Sequence, residues 1–410
     1  MSNCFVSTDI LLPDFNKVSG EKWAVVACDQ FTSQPEYWEK AAEIVGDEPS
    51  ALNLILPEAY LNKQDILMPK ISVYMKEYCK NILELHANTY IYIERCQSDG
   101  KIRHGLVGAV DLECYDWREG STTPVRATEG TVPERIPPRV VIRRQASVEL
   151  PHIMLLIDDV EKKVIESLSD KKDNLALAYD FDLMLGGGHI SGWFVDGDNA
   201  NYISETLTDL FNKNICNMNI AVGDGNHSLA TAKTVYEQLK QEIGEAALTH
   251  PARYALAELV NIHDEALEFE PIYRIVSGTD VDKFICEFKE YCSNLNGNAD
   301  AQRIEYVYGD VCGEMRVSHP ANQLAVGTVQ AFLDTYVKCH PECEVDYIHG
   351  EDNVKALAHK EGTVGLLFAG MKKSELFPSV VSDGSLPRKT FSMGHAEDKR
   401  YYVEARKIVL

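Results

Sequence analysis

Midway along the chain an apolar run, Asn219-Ile220-Ala221-Val222, breaks off in Gly223-Asp224-Gly225-Asn226-His227-Ser228, and a helical pattern begins at once. Leu229, Ala232, Val235, Tyr236, Leu239 and Ile243 recur at spacings of three and four, which is one buried helix face. A strand that turns straight into a helix points to an α/β fold, with the turn at a strand end, where open α/β sheets bind ligands. Two glycines there leave backbone N–H groups unpaired at the positive end of a helix, a geometry that suits an anion, phosphate above all. Asp224 and His227 add a carboxylate and an imidazole at the same spot. Caps and turns use the same residue types, so a structural role stands beside the functional one: Asp224 or Asn226 as helix cap, Gly223 and Gly225 as turn residues.

At 410 residues the chain is long enough for two or three domains. The formal net charge of −23 argues against a nucleic-acid surface, which needs clustered Lys and Arg. A small anionic ligand is still allowed, since a few local cations hold a phosphate inside an acidic protein. No apolar run approaches the ~20 residues of a membrane span, and Met1-Ser2-Asn3-Cys4-Phe5 does not begin a basic region followed by an apolar one. Eleven scattered cysteines fit reduced thiols and a cytoplasmic location. Cys339-His340-Pro341-Glu342-Cys343 lacks the second ligand pair of a closed zinc site.

Trp23 to Cys28 reads as a buried strand entering the polar loop Asp29-Gln30-Phe31-Thr32-Ser33-Gln34-Pro35, with a helix from Glu36. A helix is expected over 70–85. Thr89–Arg95 and Leu106–Leu112 alternate like paired strands about a turn at Ser98-Asp99-Gly100. Ile153–Ile157 and Ala255–Val260 read as strands. Leu185-Gly186-Gly187-Gly188-His189 permits a close backbone approach without forming a dinucleotide fingerprint. From about 276 the pattern regularises: a helix through Phe284 and Phe288, strands near 303–308 and 313–318, a helix through Phe332 and Tyr336, then strand, helix and strand to 369. A polar loop, Leu386-Pro387-Arg388-Lys389-Thr390, and a last helix carrying Tyr401, Val403 and Ala405 complete it.

Arg118, Arg126, Arg135, Arg139, Arg143 and Arg144 form the one obvious positive patch, interleaved with Pro124, Pro133, Pro137 and Pro138. Prolines that dense favour an extended, pinned loop. Arginine's planar fork suits phosphate or carboxylate, although pairing with surface acids is the ordinary alternative.

Several familiar chemistries are missing. There is no Asp-x-His to seat the two metals of a dinuclear phosphatase. There is also no Walker A run, no Gly-x-Ser-x-Gly elbow and no His-Glu-x-x-His.

Five segments together carry a family resemblance: Ala27-Cys28-Asp29-Gln30-Phe31-Thr32-Ser33-Gln34; Arg126-Ala127-Thr128-Glu129-Gly130-Thr131; Asp224-Gly225-Asn226-His227; Leu259-Val260-Asn261 with Pro271-Ile272-Tyr273-Arg274; and Leu386-Pro387-Arg388-Lys389. In that order they resemble a bacterial family whose activity is not established, domain of unknown function number one thousand and fifteen. More distantly, the Asp-Gly-Asn-His turn resembles the signature turn of the ParB/sulfiredoxin-like superfamily, which includes nucleotide-binding clamps and free serine kinases. The resemblance implies that the turn opens a helix and holds nucleotide phosphates. Relatives more often carry arginine after the histidine. Here that position is Ser228, so the usual clamp is missing: either the Ser228 hydroxyl and the N–H groups suffice, or Arg126, Arg135 or Arg388 replaces it, or this branch takes a different ligand. The sulfiredoxin cysteine and a basic ParB helix-turn-helix are not evident.

The resulting expectation is an α/β fold, with α+β open: mixed sheets with flanking helices and a ParB/sulfiredoxin-like element around the central turn. A main region spans 1–275 and a C-terminal α/β region spans 276–410. The expected function is nucleotide-dependent phosphoryl transfer to a small hydroxylated metabolite, an amino acid among the candidates. The alternative is a non-catalytic nucleotide- or anion-binding module. Asp224, His227 and Glu129 carry the acid–base roles. Gly225, Asn226, Ser228, Arg126, Arg135, Arg274, Arg388 and Lys389 hold phosphate. ATP or ADP is the expected cofactor, with Mg²⁺ at Asp224. Homo-oligomerisation stays open.

Overall fold

A computed structural model describes residues 3–214 and 216–409, so Met1 and Ser2 of the N-terminal reading lie outside the described residues. The chain forms two compact units: Met1–Leu267 together with His395–Leu410, and Glu268–Gly394. The fold is mixed α/β.

In the first unit nine strands hydrogen-bond in the order Ala176–Asp182, His189–Val195, Leu83–Cys96, Ile102–Asp111, Tyr254–Asn261, Met154–Ile157, Ile220–Asp224, Val125–Ala127 and Tyr115–Asp116. The sheet mixes parallel and antiparallel neighbours. The expected hairpin is present, with Ile91 opposite Val107. Alternation along it serves two cores at once. Ile91 and Ile93 face one, Tyr90 and Tyr92 the other, because successive side chains point to opposite faces of a strand. A sheet buried on both sides therefore reads as a continuous apolar run.

Two expectations need correcting. The arginine-rich stretch is not an extended loop throughout. A short strand, Val125–Ala127, leads to a helical turn at Pro133–Arg135 and then to a helix, Ile136–Gln145. Pro137 and Pro138 sit in its first turn, where a missing N–H costs nothing. Nor is there a terminal helix. Tyr401–Tyr402 pairs with Val25–Val26, Leu11 bridges Ala405, and Arg406–Lys407 pairs with Val148–Glu149. Residues 400–406 are all buried, so no single face of a helix could have served them. Their charges meet inside the unit. Arg400 pairs with Glu258 and Glu404, and Arg406 with Glu149, which also takes Arg143.

The helix expected over 70–85 runs from Gln64 to Asn81. The second unit follows the sequence pattern closely: helices Val281–Asn294 and Ala325–Cys339, and a sheet ordered Val311–Val317, Gln302–Tyr308, Val364–Phe368, Glu270–Ser277 and Glu344–His349. It also holds a helix the sequence reading lacked, Leu376–Asp383. Among the described residues no His/Cys/Asp/Glu cluster could hold a metal ion, the 339–343 stretch included. No helix there is long and apolar enough to cross a membrane.

Candidate functional site

The central strand, Ile220–Asp224, ends at Gly225, and the helix Asn226–Ile243 starts on the next residue. Gly225 has φ of +79°, and a Cβ built there would meet Ile153 Cα at 2.9 Å. Glycine is thus required twice, by the left-handed backbone and by the close approach. The Gly225 N–H donates to Asp224 Oδ1 at 2.8 Å. No side chain caps the helix. Among the described residues, the N–H groups of Asn226, His227 and Ser228 donate to no protein acceptor. The buried Oδ1 of Asn226 also has no partner. An 18-residue helix with an uncapped start presents unspent donors and the positive end of its dipole.

Lys399 Nζ lies 3.1 Å from Asp224 Oδ2. The last segment delivers it, since Tyr401–Tyr402 is fixed against Val25–Val26. Burial opposes ionisation of Asp224, but Lys399, His152 and the Gly225 N–H together outweigh it and hold the carboxyl below its ordinary value. Asp224 is therefore a weak proton acceptor. Its placement suits holding a cation.

Two histidines face the turn. His227 Nε2 accepts from the Val132 N–H at 3.3 Å. Burial, then Arg139 and Arg135, push its pKa down, so it is neutral near pH 7. His152 Nε2 lies 3.3 Å from Ser228 Oγ and 3.8 Å from Asp29 Oδ2, and its Nδ1 lies 2.7 Å from the Tyr402 hydroxyl. That hydroxyl accepts from the Cys28 N–H at 3.1 Å. Burial drives its pKa far up, so it stays protonated and can donate to Nδ1. The separation of 3.8 Å is too long for a hydrogen bond.

The segment around Glu129 is fastened over the turn. Thr128 Oγ1 donates to Val222 O at 2.6 Å, and Val132 meets His227. Glu129 lies between these anchors, half-buried. The arginines separate into distinct roles. Arg135 is exposed and close enough to depress His227. Arg139 pairs with the half-buried Glu58 and Arg143 with the buried Glu149, while Arg144 pairs with the exposed Glu242 as the surface-pairing alternative expects. Arg126 is buried, and its guanidinium donates to the carbonyls of Thr123, Thr122 and Asn217. The structure spends it on the loops before the strand and does not bring it to the turn.

Arg274, Arg388 and Lys389 belong to the second unit. Arg274 is fully buried, with its guanidinium 4.5 Å from the Tyr347 ring centre. It donates to Gln330 Oε1 (2.8 Å) and to the carbonyls of Ile272 (2.6 Å), Lys389 (3.0 Å) and Arg388 (3.1 Å). Its fork organises the Leu386–Lys389 loop and leaves that loop's two basic side chains exposed.

Lys399, His152 and Tyr402 are not among the expected site residues, and Asp29 stands in the sequence reading only within a polar loop and a family segment. Asp29 had a signal, since it opens the polar loop after a strand. Lys399 had none, because a lysine in the last turns of a chain reads as solvated until its partner is known.

The chain belongs to the family described as a protein of unknown function, DUF1015, whose model matches residues 14–405. A comparison with curated proteins gave no match. Among solved structures it is similar to a free serine kinase in complex with ADP, at 10% identity and a TM-score of 0.39, covering 75% of this chain and 93% of that one. It is similar to a free serine kinase with AMP at 11% and 0.37, covering 73% and 90%. It is also similar to SbnI from Staphylococcus aureus at 10% and 0.37, covering 74% and 87%.

Proposed function

We propose that the protein is a nucleotide-dependent phosphotransferase acting on a small hydroxylated metabolite. The observation that carries this reading is the uncapped start of the 226–243 helix, whose unspent N–H groups adjoin the Asp224–Lys399 pair. Phosphate fits such a helix start, and a lysine beside it neutralises the charge that develops during transfer. The acceptor hydroxyl occupies the gap between Asp29 and His152. Its oxygen attacks the terminal phosphorus while the bond from that phosphorus to the bridging oxygen breaks. The nucleotide leaves one phosphate shorter, and the hydroxyl proton passes to Asp29. Asp224 and the unpartnered Asn226 Oδ1 are the oxygens on hand for a hydrated Mg²⁺ that arrives with the phosphates, an ion that takes one or two protein ligands. When bound, it would supply positive charge to offset the charge that develops on the transferred phosphoryl group.

The test is incubation of the full chain with ATP or ADP, Mg²⁺ and a pool of hydroxylated amino acids and sugars, read by mass spectrometry. A phosphorylated product that Lys399→Met and Asp224→Asn abolish is expected. No product with any acceptor sinks the reading. One observation favours a binding-only module: Asp224 is already satisfied by Lys399. That alternative expects nucleotide to stabilise the fold, by about 2.7 kcal/mol at a hundred times its Kd, with none consumed.

A further inference from the structure

Beside the turn the first unit contains a cavity of about 190 Å³. Leu54, Met68, Ile71, Met75 and Val148 line its wall. The Gln64–Asn81 helix supplies Met68, Ile71 and Met75 at spacings of three and four, one face turned inward. Leu61, 39% exposed, stands at the rim, so the space communicates with solvent. His152, Ser228, Tyr402 and Cys28 also line it, and these are the groups gathered at the turn. The two pairs on the wall, Arg139–Glu58 and Arg143–Glu149, are mutually satisfied and leave no free charge of one sign.

An apolar space with a few convergent polar groups at one place is the ordinary form of a small-molecule site. An engineered apolar cavity of about 150 Å³ takes benzene, so this one has room for roughly six to eight carbons. The two methionines can adjust to the shape of the guest.

We infer that the cavity receives the apolar part of the phosphoryl acceptor. That acceptor is a hydroxylated metabolite bearing a branched alkyl or phenyl group of about six to eight carbons. Its hydroxyl sits at Asp29 and His152, and its apolar group lies along the Gln64–Asn81 helix. A sugar or a short polar hydroxy acid would leave the wall unfilled. The inference rests on the proposed phosphotransfer for the hydroxyl's role, but the cavity can be tested alone.

The experiment is calorimetric titration of the full chain with primary alcohols from ethanol to decanol and with 2-phenylethanol, alongside a separate titration with Mg-ATP. Affinity is expected to rise roughly fourfold per methylene up to about octanol and then level. 2-Phenylethanol should bind as the mid-length members do. Leu61→Glu, at the exposed rim, should weaken octanol at least tenfold and leave Mg-ATP binding unchanged. An affinity that stays flat along the series, or keeps climbing through decanol and ignores Leu61→Glu, overturns the inference. Mg-ATP binding with a flat alcohol series defeats the cavity alone. The expected alcohol series without Mg-ATP binding defeats phosphotransfer and leaves the cavity standing.

Discussion

The turn at Asp224–Ser228 and the loop at Leu386–Lys389 make an instructive pair. By residue type both are expected to contribute to one phosphate site. In the first, the three N–H groups that open the helix remain unspent, and the neighbouring cation is held by a carboxylate on the same strand end. In the second, the buried arginine has already given its donors to Gln330 and three carbonyls. Capacity to bind lies in donors left without an internal acceptor. A count of basic residues does not measure it.

Substitutions can break this contrast. Lys399→Met should have the largest effect, lowering turnover about 10²–10³-fold, near 2.7–4 kcal/mol in the transition state. Denaturant midpoints should fall only modestly: the substitution takes away the cation that offsets Asp224's burial, but the pair is not fully enclosed. Steady-state kinetics with chemical denaturation check both halves. Arg274→Ala should do the opposite. Stripping the fork strands buried carbonyls and should cost about 3 kcal/mol of stability, read as a lower urea midpoint, while Mg-ATP affinity holds. A loss of affinity without destabilisation would reverse the roles assigned to the two regions. Gly225→Ala should cost about 2 kcal/mol, the left-handed backbone accounting for roughly 1–2 of it and the contact with Ile153 for the rest.

The smallest effect is one of pH. His227 has its pKa lowered by burial and by Arg139 and Arg135. The unfolded chain therefore takes up this proton at higher pH than the folded one. The stabilisation is complete above the unfolded value of 6.5 and is lost as pH falls from there through the folded value. Urea midpoints measured from pH 8 to 5 should drop on the acid side. His227→Gln should flatten the profile by less than about 1 kcal/mol. An unchanged slope would mean that His227 is not the group responsible.

How much of this was legible follows from how each element is buried. The helix Val281–Asn294 buries Phe284, Ile285, Phe288 and Cys292 on one face, so its period is written in the sequence. The strand-turn-helix at 220–243 is equally plain. The last segment is buried all round. Tyr401, Val403 and Ala405 recur at a spacing of two, the strand period, so the expected helix had no local support there, and Arg400, Glu404 and Arg406 are paired inside. Pro137 and Pro138 suggested a loop because proline starts a helix as readily as it ends one. The site suffered most. Asp224 and Lys399, and His152 and Tyr402, meet only through tertiary packing, and no local spacing encodes such pairs.

The central claim is that an anion binds at the N–H groups of Asn226, His227 and Ser228. Selective ¹⁵N labelling of histidine and serine, followed by titration with Mg-ADP, observes two of those amides directly. Saturable shifts of the His227 and Ser228 amides, weakened in Lys399→Met, are the expected result. Saturable binding that leaves both amides where they began would contradict it.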